Sequence, residues 1–224
     1  MALNSRFAAM TSTRTAGTVA AALALAAACW AVVIHAMSGM DMGIATELGS
    51  FGFFIGLWLA MMAAMMLPGA VPAIAQRARE ERRALGAPVF AAGYLAVWTV
   101  VGLVAYALYQ PHGTSVAGAL VVAAGVYELT PIKRACRQRC RENIRSGTAF
   151  GVFCLGSSVG LMFLLLALGP MSVVWMGIVA LLVLAQKLFR PNAVVDVPLA
   201  FAMIALGLMI ILAPSGVPGF TPAM

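Results

Sequence analysis

Charge is what this sequence has least of. Only 9% of its 224 residues are Asp, Glu, Lys or Arg, where an ordinary soluble domain carries roughly a quarter. So few charges cannot cover a water-facing surface of this size, and that excludes an ordinary soluble globular domain. Histidine is nearly absent, with only His35 and His112. No His cluster can form for a membrane metalloprotease, and no Ser-His-Asp set has its parts, since Asp41 alone lies near either His. No P-loop or dinucleotide-binding glycine fingerprint occurs. The last apolar run has no Lys, which excludes a retinal Schiff base there. With no nucleophile or base to point to, the chain is not expected to be an enzyme. The four cysteines, Cys29, Cys136, Cys140 and Cys154, lack the pattern of a secreted disulfide framework, and no disulfide is expected.

What the sequence has instead is apolar length. Apolar residues make up 63% of it, and a helix needs about 20 of them to cross the hydrocarbon core of a bilayer. Seven runs qualify: 16–37, 50–74, 88–109, 114–132, 148–168, 171–188 and 196–213. Pro68, Pro88, Pro111, Pro131, Pro191 and Pro198 punctuate their ends. The expected fold is therefore all-α, a polytopic transmembrane bundle of seven helices. It is flanked by a cytoplasmic tail over 1–15 and an external tail over 214–224.

The net charge of +7 could suggest nucleic acid, but the positions of the charges speak against it. Arg6 and Arg14 precede the first run. Arg77, Arg79, Arg82 and Arg83 follow the second. Lys133, Arg134, Arg137, Arg139, Arg141 and Arg145 follow the fourth, and Lys187 and Arg190 close the sixth. These are all fourteen basic residues of the chain, and the alternate loops have none. The loop after the first run instead holds Asp41 and Glu47. The positive-inside rule then sets the N-terminus in the cytoplasm and the C-terminus outside. This is the pattern of a multi-pass protein of a bacterial inner membrane, with the lipid bilayer as its partner and no role for nucleic acid. A second reading makes the first run a cleaved signal peptide, with small residues at Ala26–Ala28, and leaves six helices.

The sulfur-bearing residues carry the chemistry. In the second run Met61 and Met65 lie one turn apart, as do Met62 and Met66. Thioethers are soft, neutral ligands that suit Cu(I) and enter lipid without a charge cost; the alternative is that methionine fills gaps between helices. The first external loop adds His35, Met37, Met40 and Met42, a second set that could collect Cu(I). Cys136 and Cys140 would share a face if helical, and two thiolates could hold Cu(I), while nothing nearby completes a zinc site. Cys154 is a further soft ligand or simply a small buried residue. Glu128, a carboxylate within an apolar run, is a ligand or proton carrier by default, or else a salt-bridge partner of Lys133 or Arg134. Gly52 with Gly56 and Gly156 with Gly160 have the spacing that lets membrane helices approach closely.

Several of these residues also form ordered motifs. Trp58-x-x-Met61 is followed by Ala64-Met65-Met66-x-Pro68-x-x-x-Pro72. Then come Tyr127-x-Leu129-Thr130-Pro131-x-Lys133-x-x-Cys136-x-x-x-Cys140 and Gly151-x-x-Cys154-x-Gly156, with Gly160-Leu161-Met162 and Trp175-Met176. Over roughly residues 50–190 the chain resembles a family of bacterial integral membrane proteins of uncharacterised function, described as predicted metal-binding membrane proteins. The resemblance implies a metal role. The chain departs from it at Ser157, Ser158 and Val159, where the family commonly has a Cys pair and Trp, and at Gln186, where it commonly has Glu. The expected function is handling of a soft metal, copper before others, by binding or by uptake across the inner membrane. The alternative is a non-catalytic structural or assembly subunit with a membrane-protein partner, or a homo-oligomer.

Overall fold

The computed structural model describes residues 13–38, 50–80, 86–108, 113–142, 146–168, 172–189 and 193–213. Among them lie eight α-helices and no strand. These are α1 (Thr13–Met37), α2 (Phe51–Glu80), α3 (Gly86–Leu108), α4 (Thr114–Glu128), α5 (Pro131–Glu142), α6 (Gly147–Leu168), α7 (Val173–Leu188) and α8 (Ala193–Leu212). Every apolar run of the sequence is a helix. Five of them (α1, α2, α3, α6 and α8) are long and apolar enough to cross a membrane. The bent pair α4–α5 makes a sixth if taken as one span, and α7 is a shorter apolar helix.

The basic segment after α4 was expected as a loop and is instead the helix α5, turned by 64° from α4. Thr130 and Pro131 make the corner. The Thr130 hydroxyl donates to the Tyr127 carbonyl at 2.7 Å and accepts the Lys133 N–H at 3.4 Å. Pro131 takes the first helical position, where its missing N–H costs nothing. Lys133, Arg137 and Cys140 are the buried residues of α5, spaced as one helical face.

Helices α2 and α6 are enclosed by the others, while α1, α3 and α8 leave most of their apolar surface outward. α2 packs on α1, α3 and α7; α6 packs on α3, α4, α5 and α7; α8 lies along α4. Trp58 ties α2 to α3 by donating its indole N–H to the Trp98 carbonyl at 2.9 Å. A close approach of α4 and α8 uses glycines outside the expected pairs. A Cβ on Gly118 of α4 would stand 2.7 Å from the Gly207 carbonyl of α8, and one on Gly207 the same distance from the Gly118 carbonyl. Gly52 and Gly56 have nothing within 4 Å of a Cβ. Gly160 faces α4, so of the two expected pairs only the second is used for packing.

Candidate metal centre

Sulfur atoms from three separate helices gather in one region of the interior. Cys140 projects from the buried face of α5 and Cys154 from the middle of α6. Their thiols are near neighbours in the interior although they stand on different helices, and Cys140 donates to the Phe150 carbonyl at 3.9 Å. Cys154 is fully buried. Its sulfur lies 3.2 Å from the Tyr94 hydroxyl of α3. The Lys187 ammonium of α7 completes the group. It lies near Cys154, donates to the Tyr94 hydroxyl at 3.3 Å and stands 3.9 Å from the Met66 sulfur of α2. It also stands 5.7 Å from the centre of the Tyr94 ring, a cation–π distance.

Local sequence explains how Lys187 gets there. Its stem lies across α2 at Gly69, where a Cβ would collide with the Lys187 Cδ. The flanking Pro68 and Pro72 lie inside α2 and each deletes one helical hydrogen bond. A cavity of about 370 Å³ opens beside this stretch. Cys140 and Lys187 line it, as do Ser157 and Ser158. The two serine hydroxyls, at the positions where the resembling family commonly has cysteines, donate to the Cys154 carbonyl at 2.7 and 2.6 Å.

A second buried cluster stands next to the first. Glu128, at the end of α4, is ion-paired with Lys133 and accepts the Gln186 amide at 2.8 Å. Lys133 also donates to the Gln186 side-chain oxygen at 3.1 Å. Arg137 grips both carboxylate oxygens of Asp196 at 2.5 and 2.6 Å and donates to the Gln186 carbonyl at 2.5 Å. Glu128 is thus held as a salt-bridge partner. Gln186 belongs to this ionic cluster and not to the sulfur group. Asp196 is a second buried carboxylate that sequence reasoning passed over, because it stood at the edge of an apolar run.

The remaining candidates divide. Met61, Met62 and Met65 are buried within the bundle, and Met62 lies one turn from Met66. Cys136 lies half-buried over Gly156, one turn before Cys140 on α5. His35 is exposed on the last turn of α1, whereas Met37 is buried; Met40 and Met42 lie outside the described residues. Tyr94 and Lys187 were not singled out by sequence reasoning. Lys187 counted there only as a basic charge, and nothing local marks Tyr94.

Among the described residues no three His, Cys, Asp or Glu side chains come together as a metal site. The donors present are two thiols and a thioether, gathered around one ammonium that cannot itself ligate a metal. Such a set suits a soft monovalent ion that accepts few ligands, and gives a hard or tetrahedral divalent ion too little. Fold and site together describe an all-helical bundle with cysteine, methionine, tyrosine and lysine side chains gathered at its basic end. The chain belongs to the PpoB2 family, described as a copper chaperone, whose model matches residues 55–210. Met66, Cys140, Cys154 and Lys187 all fall inside the matched stretch, and His35, Met37, Met40 and Met42 fall outside it. No curated protein and no solved structure matches the chain.

Proposed function

We propose that this chain is an integral membrane protein of the bacterial inner membrane that receives Cu(I) and holds it between Cys140 and Cys154, with Met66 as a third sulfur. The observation that carries the reading is the nearness of two thiols from α5 and α6 in the interior, in a chain whose family is described as a copper chaperone. A pair of thiolates with one Cu(I) has a net charge of −1, which the adjacent Lys187 ammonium offsets inside a medium where an uncompensated charge is costly. The buried methionines of α2 extend the soft lining away from this site, a route for uptake toward the basic end. Binding and handing on, rather than catalysis, is the task such residues can perform.

The membrane setting is supported by the outward faces. Leu103, Val104 and Leu108 of α3 and Phe201, Leu208 and Leu212 of α8 are exposed, a surface suited to lipid and not to water. Helices α1, α2, α3, α4, α6, α7 and α8 are read as seven spans, with α5 on the cytoplasmic face among the basic residues. The test is a competition titration of the purified full chain with Cu(I) against a chromophoric chelator. One tightly held equivalent is expected, lost in Cys140→Ser, together with lower cell copper in a deletion strain. No bound copper, with unchanged cell copper, would end this reading.

A second reading, as a structural or assembly subunit, draws on one observation. Gly52 and Gly56 of α2 have no neighbour, beside exposed Phe51 and Phe53. Recovery of a stable partner in mild detergent, without copper, would favour it.

A further inference from the structure

Copper that follows the methionines of α2 meets two thiols that are placed differently. Met66 is the α2 sulfur that approaches Lys187, and Lys187 lies near Cys154, which is fully buried on α6. Cys140 lines the cavity of about 370 Å³, and Cys154 is not among the cavity's described lining residues. This cavity reaches the surface at the basic end of the bundle, because its lining residues Gln76 and Leu188 are exposed and stand in the last turns of α2 and α7. Deeper in its wall Cys140, Phe150 and Val183 are buried. One thiol thus adjoins the α2 sulfur and the other adjoins an outlet. That outlet has the volume of a small-molecule site and no room for a folded domain.

We infer that this cavity is an exit port in which a low-molecular-weight thiol takes Cu(I) from Cys140, the last sulfur of the chain to hold it. The inference rests on the copper reading above and adds the order of the two cysteines and the class of acceptor. It keeps the uptake direction, since copper comes along α2 and leaves at the basic end. The acceptor is a thiol because soft thiolate sulfur selects Cu(I). It is small because only a slender group fits the cavity that leads to Cys140. The exchanges balance without redox change. A first acceptor sulfur bonds to Cu(I) as the Cys154 bond breaks, and a second bonds as the Cys140 bond breaks. Each incoming thiol gives up its proton and each released cysteine regains one. Copper leaves as a bis-thiolate complex, and the chain returns to two thiols.

Stopped-flow release from the copper-loaded, full-length protein in detergent tests this. The acceptors are N-acetylcysteine amide, which is small and neutral, and a folded soluble domain carrying a single surface cysteine, at equal thiol concentration. The small thiol is expected to remove copper about tenfold faster, since the domain cannot enter the cavity and must first dock in one orientation. Leu188→Trp and Gln76→Trp put bulk at exposed positions of the outlet. Each is expected to slow release to the small thiol by a similar factor and to leave copper affinity unchanged. Equal rates with the two acceptors, or release unmoved by both substitutions, would overturn the port while the copper still bound leaves the sulfur site standing. A chain that takes up no copper at all would overturn port and site together.

Discussion

The two buried clusters at the basic end of the bundle share helices and differ in construction. α5 gives Arg137 to one and Cys140 to the other; α7 gives Gln186 to one and Lys187 to the other. The ionic cluster is closed, with short charge-assisted bonds that engage Arg137, Asp196, Lys133 and Gln186, and a single oxygen, Glu128 Oε1, without a hydrogen-bond partner. The sulfur cluster is open. Its contacts are longer and weaker, at 3.2 to 3.9 Å, and it borders a cavity. Where charges must be satisfied at once, the fold satisfies them, and this fixes α5 at its 64° turn. Where sulfur is to bind something else, the fold leaves its bonding capacity largely unused. The first cluster therefore acts as the frame that holds Cys140 opposite Cys154.

The sharpest way to break this comparison is to damage the frame alone. Arg137→Leu leaves the Asp196 carboxylate buried without its partner, a change that typically costs about 3–5 kcal/mol. Thermal unfolding in detergent should show the loss, and Cu(I) binding should fall with it although no sulfur has changed. The double variant Arg137→Leu/Asp196→Leu removes both charges and should recover most of the stability. If the double variant is as damaged as the single, the pair does not hold α5 by charge.

The converse experiment removes sulfur and spares the frame. Cys154→Ser should weaken Cu(I) binding by about 100-fold or more, the scale at which even supporting groups of metal sites act. Its unfolding transition should stay close to that of the unaltered chain, since the hydroxyl can keep the Tyr94 contact. Cys136→Ser, one turn before Cys140 and only half-buried, should leave affinity nearly unchanged. A loss from Cys136→Ser with none from Cys154→Ser would move the site to the local Cys136–Cys140 pair.

Sequence reasoning saw that local pair because spacing along one helix is all that a single sequence displays. It located the helices well; 148–168, for example, is Gly147–Leu168 in the structure. Lipid-length apolar runs with proline and glycine at their ends are a strong signal. In the sequence Pro131 reads as punctuation at the end of the run 114–132, and the basic residues after it as a loop between two spans. The buried spacing of Lys133, Arg137 and Cys140 was the signal that α5 is amphipathic. The meeting of Cys140 with Cys154 was not legible, because it depends on the angle at which α5 folds back onto α6. The same holds for the reach of Lys187 across Gly69 to Met66. Such contacts are set by packing between distant segments, and no local pattern encodes them.

Met66 is where the comparison can be refined most finely, because here the two readings of methionine give different numbers. As filler, Met66 contributes packing only, and Met66→Leu conserves volume well enough to cost less than about 1.5 kcal/mol. As a third sulfur beside Cys154 and Lys187, it adds a weak bond to copper, and its loss should lower Cu(I) affinity by about tenfold, near 1.4 kcal/mol. Unfolding alone cannot tell these apart. The deciding measurement is copper competition on Met66→Leu beside Met61→Leu, since Met61 is buried to a similar degree while the sulfur that approaches Lys187 is that of Met66. A drop confined to Met66→Leu would make Met66 part of the open cluster. The same affinity in both variants would return the methionines of α2 to packing and leave copper to the two thiols.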